Sequence, residues 1–335
     1  MSKTGRKVFQ IAGAIAALAV VAGLWFNHLL APMPGGAEVL IRFEKKTPLR
    51  TVLGELVDKG VVRNASAISL YARLHRDTAP VTVGTYSLKP GMTAGEILHA
   101  LREPLKQMVR LPIHWIADTA KVLESYNVAK ASDYIALTKN PQAFQKYVKF
   151  HLPKTGTLEG YLYPDTYDLP PLFGAKNTIV RQLRAFEKKV MGVIREPRDL
   201  NRVLTVASLI QMEVARDDER PIVAGVIENR LKRGMRLQID ATSLYANQQW
   251  KSPKHSDLVR VDSPYNTYLH NGLPPGPICS PALASIEAAM HPARHDYLYY
   301  VAMPGPEKRS MFASTLAQHA ANIRKRMAAL KGRRS

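Results

Sequence analysis

The stretch from residue 201 to 235, NRVLTVASLIQMEVARDDERPIVAGVIENRLKRGM, decides how this chain is read. Val203, Val206, Ala207, Ile210 and Val214 recur at helical spacing and define an apolar face. Glu213 stands three residues after Ile210 and seven after Val206, at the edge of that face. A carboxyl group so placed is partly desolvated, which favours its neutral form and makes it a proton donor near neutral pH. An ion pair with Arg216 or Arg230 is the plainer reading, and the stretch taken alone favours it. A second helix starts near Asp218-Glu219 with Pro221 in its first turn and stops at Lys232-Arg233-Gly234. It offers Val223, Val226, Ile227 and Leu231 to a core and carries Asn229 and Arg230 near its C-terminal end.

Two polar windows follow. RLQIDATSLYA, residues 236–246, sets Gln238 and Asp240 on alternate positions of a short extended segment, suited to bonding sugar hydroxyls and equally to capping a turn. SPYNTYLHNGLPPGPICSPA, residues 263–282, places Tyr265, Asn266, Thr267 and Tyr268 ahead of a run rich in proline and glycine. Aromatic rings cover the apolar faces of sugars and amides bond their hydroxyls, although an ordinary Pro-rich surface loop has the same composition. Three such windows within about eighty residues point to a site, with Glu213 as a general acid at a glycosidic oxygen.

Composition bounds the rest. Over 335 residues, 47 basic less 27 acidic side chains leave a net charge of +20, and a 46% hydrophobic content supports about two folded domains. Cys279 is the one cysteine, so neither an internal disulfide nor a zinc site of several thiolates can form. The charge calls for an anionic partner. Near the start, VFQIAGAIAALAVVAGLWF, residues 8–26, follows Lys3, Arg6 and Lys7. As a helix it rises about 28 Å, close to the ~30 Å hydrocarbon layer. The cations before it and Trp25-Phe26 at its far end predict a single-pass anchor over 8–30, with residues 1–7 cytoplasmic and the remainder outside. A cleaved signal peptide and a buried core helix compete with this reading, but the run is long and is followed directly by Asn27-His28-Leu29-Leu30. An extracytoplasmic chain has no nucleic acid to bind.

Residues 31–37, APMPGGA, form a linker. Beyond it the pattern is strand (38–43), helix from Pro48 with Gly60 as its stop, helix from Ala65, strand (84–88) and helix (94–102), an α+β domain over 38–105. A larger mixed α/β domain is expected over 106–330, with helices near 117–126, 132–137, 141–148, 178–193 and 316–330, then a basic tail at 331–335. HExxH, GxxxxGK[ST] and GxGxxG motifs are absent. His255, His291, His295 and His319 lack ligand spacing and read as packing or surface residues, so no metal and no cofactor is expected. Ser208 lacks the flanking glycines of a nucleophile elbow.

Five segments in a fixed order carry a resemblance: LEGYLYPDTY (158–167), VASLIQMEVA (206–215), VIENRLKRGMRLQIDATSLYA (226–246), SPYNTYLHNGLPPGPI (263–278) and AAMHPARHDYLYYVA (288–302). In these the chain resembles the endolytic murein transglycosylases of the YceG-like family, over nearly its whole length. The resemblance implies an inner-membrane anchor, a small LysM-like domain and a catalytic domain facing the cell wall, acting on nascent peptidoglycan strands near peptidoglycan synthases. It puts the catalytic glutamate on Glu213; the polar windows around it offer Asn229, Arg230, Gln238, Asp240, Tyr265, Asn266, Thr267 and Tyr268 as candidate substrate contacts. The implied reaction uses one carboxyl group to break the bond between N-acetylmuramic acid and N-acetylglucosamine and close a 1,6-anhydro ring. A hydrolytic muramidase with Asp240 as second carboxylate, and a non-catalytic wall-binding scaffold, are the alternatives. The chain departs from the family pattern at Gln211, where an acid is usual, at Ser280 and Ala282, at Ser310, and near Ile113-His114.

Overall fold

The computed structural model describes residues 3–195, 197–248 and 258–331. His255 and the tail at 332–335 lie outside the described residues, as do the side chains of Lys3, Arg6 and Lys7. The chain is a mixed α+β protein that divides into two compact units. The first comprises residues 1–108 and 168–173, the second 109–167 and 174–335.

The first unit begins with α1 (Lys3–Leu30), of which the 21 residues Gln10–Leu30 are apolar enough to cross a membrane and are not buried in the protein. At 1.5 Å per residue they reach about 31 Å. Strand β1 (Val39–Phe43), α2 (Leu49–Asp58), α3 (Ala65–Leu74), β2 (Gly84–Leu88) and α4 (Ala94–Ala100) follow. β1 and β2 pair antiparallel with Val39 opposite Leu88. Their inner faces meet Val52, Leu53 and Leu56 of α2 and Ile97 of α4 in one apolar core. Helices α3 and α4 start where the sequence supplies a partner for free amides: Asn64 accepts from Ala67 N at 2.8 Å, and Thr93 with Glu96 forms a reciprocal capping box. Residues 168–173, which the sequence reading assigned to the larger domain, belong here. The Arg42 guanidinium lies 4.8 Å over the Phe173 ring, and the Asp168 carboxylate accepts from Gln107 N at 2.9 Å.

β3 (Met108–Arg110) pairs with β4 (Thr166–Asp168), and the second unit holds α5 (Ile116–Ser125), α6 (Ala131–Thr138), a 3-10 turn (Pro141–Tyr147) and α7 (Ala175–Phe186). Then come α8 (Leu200–Glu213), α9 (Arg220–Lys232), α10 (Asp240–Ala246), α11 (Leu283–Met290), the antiparallel hairpin β5 (Tyr299–Ala302) and β6 (Ser310–Ala313), and α12 (Leu316–Lys331). Helix α8 was expected to show one apolar face, but residues 204–210 are buried all round. It packs against α9, α10 and α11 as the central rod of the core. The small polar residues buried on α8, Thr205 and Ser208, are consequently bound internally. The Ser208 hydroxyl donates to Thr205 O at 2.7 Å and accepts from Ile278 N at 3.0 Å, and the Cys279 thiol, wholly buried, lies 3.5 Å from Ser208 O.

Two glycines allow the close approaches that this core needs. Gly160 has φ +85°, and a Cβ there would stand 2.5 Å from the Pro277 ring, so the 158–162 segment seats directly on the Pro-rich loop. At Gly225 in α9 a Cβ would come within 2.4 Å of Ala293 O and 2.5 Å of His295 Nε2. The His295 ring bridges Ile222 O at 2.9 Å and Tyr297 N at 3.0 Å, which makes it a packing residue with a defined tautomer.

Candidate active site

Glu213 is the last residue of α8, where the helix leaves the core. The residue is half-buried, and its carboxyl group is crowded by protein. Desolvation dominates and pushes it up to about 7; the Tyr300 hydroxyl and the more distant Arg230 pull it down, while the charge of Asp240 adds to the rise. Tyr300, on β5, donates to Glu213 Oε2 at 2.8 Å. The expected ion pair does not form. Arg216 is held by Asp218 through bonds of 2.8 Å, and Arg230 donates to Leu298 O and Leu237 O at 2.6 Å each. Among the described residues no lysine or arginine pairs with Glu213.

A carboxyl group in this state can do two things. With Tyr300 bonded to Oε2, the proton of the neutral form resides on Oε1 and can be given away. The resulting carboxylate is then held by the phenol and the field of Arg230, ready to take a proton back.

Of the residues expected to join it, Arg230, Asp240 and Tyr268 surround Glu213 closely enough to shift its charge or be shifted by it. The Tyr268 hydroxyl donates to Asp240 Oδ1 at 2.5 Å. Gln238 and Asp240 do both face outward, between buried Leu237 and Ile239. The segment is nevertheless no strand: Gln238 takes φ 51° and Asp240 opens α10. Three assignments change. Asn266 is 0% and Thr267 1% exposed, beyond reach of a sugar. Asn266 Nδ2 donates to Leu258 O and Val261 O at 2.9 Å, and Thr267 Oγ1 bonds Thr242 Oγ1 at 2.8 Å and Ile239 N at 3.0 Å. These groups pin the 258–268 loop to α10. Asn229 likewise ties down the chain before β5 by donating to His295 O at 2.7 Å and Tyr297 O at 3.1 Å. Tyr265 packs on Tyr245 with ring centroids 4.9 Å apart.

Tyr300 was not singled out from sequence; the short run of aromatic and β-branched residues in LYYVA, residues 298–302, was the available sign of a strand that could carry a tyrosine to the site. Gln211 has a structural task. Its Oε1 accepts from Ala282 N at 3.0 Å and Ser285 Oγ at 2.9 Å, and Arg220 donates to the same Ser285 hydroxyl at 2.5 Å. The amide carbonyl thus joins α8 to the start of α11 without a carboxylate. Ser310 uses its backbone N–H to bond Glu219 Oε1 at 2.9 Å. Among the described residues no group of three or more His, Cys, Asp and Glu side chains gathers to hold a metal.

The sequence profile of the YceG-like family matches residues 41–325. The chain belongs to this family. The YceG-like chain is 29% identical over 322 residues to the endolytic murein transglycosylase of Bacillus subtilis strain 168, covering 88% of this chain and 87% of that protein. It is 30% identical over 308 residues to the endolytic murein transglycosylase of Streptococcus pneumoniae R6, covering 81% of this chain but only 55% of that longer protein. A 2.6 Å crystal structure of a yceG-like protein from Listeria monocytogenes matches with TM-score 0.56 and 30% identity, over 85% of this chain and 98% of the other.

Proposed function

We propose that this chain is a membrane-anchored endolytic murein transglycosylase in which Glu213 serves as both acid and base. The observation that carries the reading is the state of Glu213: half-buried at the end of α8, desolvated to about 7, and, among the described residues, unpaired with any cation and bonded by Tyr300 on Oε2. In the first step Oε1 protonates the oxygen linking N-acetylmuramic acid to N-acetylglucosamine, as C1 gains oxocarbenium character. The carboxylate so formed takes the proton of the C6 hydroxyl of the same muramic acid. That oxygen closes on C1, giving a 1,6-anhydro end, and water is not consumed. Tyr300 and Arg230 stabilise the carboxylate between the steps, and Tyr268 holds Asp240 beside the site. Gln238, Asp240, Tyr265 and Tyr268 are the contacts proposed for the strand.

The helix over Gln10–Leu30 supports the anchor, and the cations Lys3, Arg6 and Lys7 before it support a cytoplasmic N-terminus with both folded units outside. The β1–α2–α3–β2 arrangement of the first unit supports a LysM-like, glycan-reading role. Such an enzyme would work beside the synthases that extrude new strands. The charge of +20 then has the lipid headgroups and the carboxylates of the wall as partners.

A hydrolytic muramidase is the second reading, because Asp240 adds a second carboxylate whose field reaches Glu213. Mass spectrometry of murein fragments released by the full chain in detergent decides between them. Anhydro-muramic ends, one water lighter than reducing ends, are expected. Reducing ends would transfer the assignment to the hydrolase.

A further inference from the structure

Helix α12 carries an apolar seam that the protein leaves open. Its inner side rests on the β5–β6 hairpin. The His319 ring stacks on Tyr299 with centroids 5.1 Å apart, Asn322 Nδ2 donates to Phe312 O at 3.3 Å, and Arg326 Nε donates to Ala302 O at 3.0 Å. These positions follow one another at intervals of three and four residues, so they form one stripe along the helix. A second stripe, turned about 90° from the first, runs through Leu316, Ala320, Ile323, Met327 and Leu330. Leu316 is 66%, Ile323 40% and Met327 49% exposed, while Ala320 and Leu330 are half-buried. Single exposed apolar side chains are ordinary on a protein surface, but a line of them along about four turns of one helix is not.

The spacing of the seam says what fits it. Its members stand four, three, four and three residues apart, which is the a/d repeat of a two-stranded coiled coil. All five fall within an arc of about 80°. A helix that lies on a broad apolar surface shows a stripe wider than about 100°, so the narrower seam suits one partner helix. The edges supply the charge. In this register Arg324 and Lys331 take e positions on the open side, and Arg326 takes a g position on the side of the hairpin. Among the described residues neither Arg324 nor Lys331 pairs with a carboxylate. Two copies of α12 laid seam to seam would set cation against cation in either orientation, which disfavours a second copy of this chain.

We propose that α12 docks one amphipathic helix of a partner protein, apolar at its own a and d positions and acidic at the positions beside them. The seam is about 21 Å long, or two heptads. Because α12 packs on the hairpin that carries Tyr300, the docked helix would be held against the catalytic unit itself. Docking is independent of the chemistry at Glu213, and none of the seam residues touches that site.

The test uses the full chain in nanodiscs of zwitterionic lipid and two fluorescent designed helices of about three heptads. Both have leucine at a and d; one has glutamate at e and g, the other lysine. In anisotropy titrations corrected with empty nanodiscs, the acidic helix should bind at least about tenfold tighter than the basic one. Ile323→Gln with Met327→Gln should weaken the acidic helix about tenfold or more. Arg324→Glu with Lys331→Glu should reverse the preference, and since all four side chains are exposed the variants should melt like the wild type. Equal affinity for the two helices, no binding of the acidic one, or binding unmoved by either pair of substitutions would overturn the proposal. Two other occupants have their own signatures, and either would also overturn it. Dimerisation of the chain in detergent that is lost in Ile323→Gln with Met327→Gln would mean a second copy. A blue shift of an environment-sensitive dye on Ile323→Cys in anionic nanodiscs would mean the bilayer, the dye being confined to that position because Cys279 is buried.

Discussion

At the scale of single residues, Glu213 and Tyr300 make one hydrogen-bonded pair. The phenol lowers the carboxyl from where burial alone would put it. Tyr300→Phe removes that bond, so the Glu213 carboxyl should rise and the alkaline limb of the kcat/KM profile should move to higher pH. Lost stabilisation of the carboxylate should cut the maximal rate about tenfold or more. A profile that keeps its wild-type limb would separate Tyr300 from the chemistry. The sequence pointed to Glu213 through its place at the edge of an apolar helix, and that physical cue corresponds to the desolvation found. It was silent on Tyr300, because the hydroxyl arrives from a strand 87 positions away and local patterning cannot pair them.

At the scale of elements, the loops around the site are held by the side chains first read as sugar contacts. Asn229, Asn266 and Thr267 bond backbone groups that would otherwise be buried unpaired. An amide beside a tyrosine has the same composition whether it faces a ligand or the loop beneath it, and only tertiary burial separates the two. The helices of the first unit were legible for the opposite reason: Asn64, Thr93 and Gly60 mark their ends locally, and Val52, Leu53 and Leu56 mark the buried face. The return of residues 168–173 to that unit has no local mark. Gly225 tests the packing of α9 on the 291–297 segment. Gly225→Ala should destabilise by about 1–3 kcal/mol through overpacking, seen as a lower urea midpoint. Because that segment leads into β5 and Tyr300, cleavage should fall as well. An unchanged midpoint would contradict the close contact with Ala293 O and His295.

At the scale of the whole molecule, Glu159 and Glu213 give the protein an unusual pH dependence. Both carboxyls titrate higher in the folded chain, at about 8 and about 7, than the ordinary 4.5. In that interval the folded state binds more protons than the unfolded one. Their stabilising effect is therefore complete below about 4.5 and is lost as pH rises toward 8. Glu159 is fully buried and dominates, at up to about 1.4 kcal/mol per pH unit. Glu159→Gln cannot ionise, so in melts of the full chain in detergent it should gain on the wild type steadily between pH 5 and 8 (roughly the titration window). A constant difference across that range would mean that Glu159 is not the buried neutral acid described.

The central claim is that one carboxyl group, Glu213, performs the cleavage. Purified murein digested by the full chain and by its Glu213→Gln variant, both shown to be folded by melting, tests it most directly. The account expects soluble anhydro-muropeptide fragments from the wild type and a loss of roughly 10²-fold or more from the variant. Release by Glu213→Gln at the wild-type rate would contradict it.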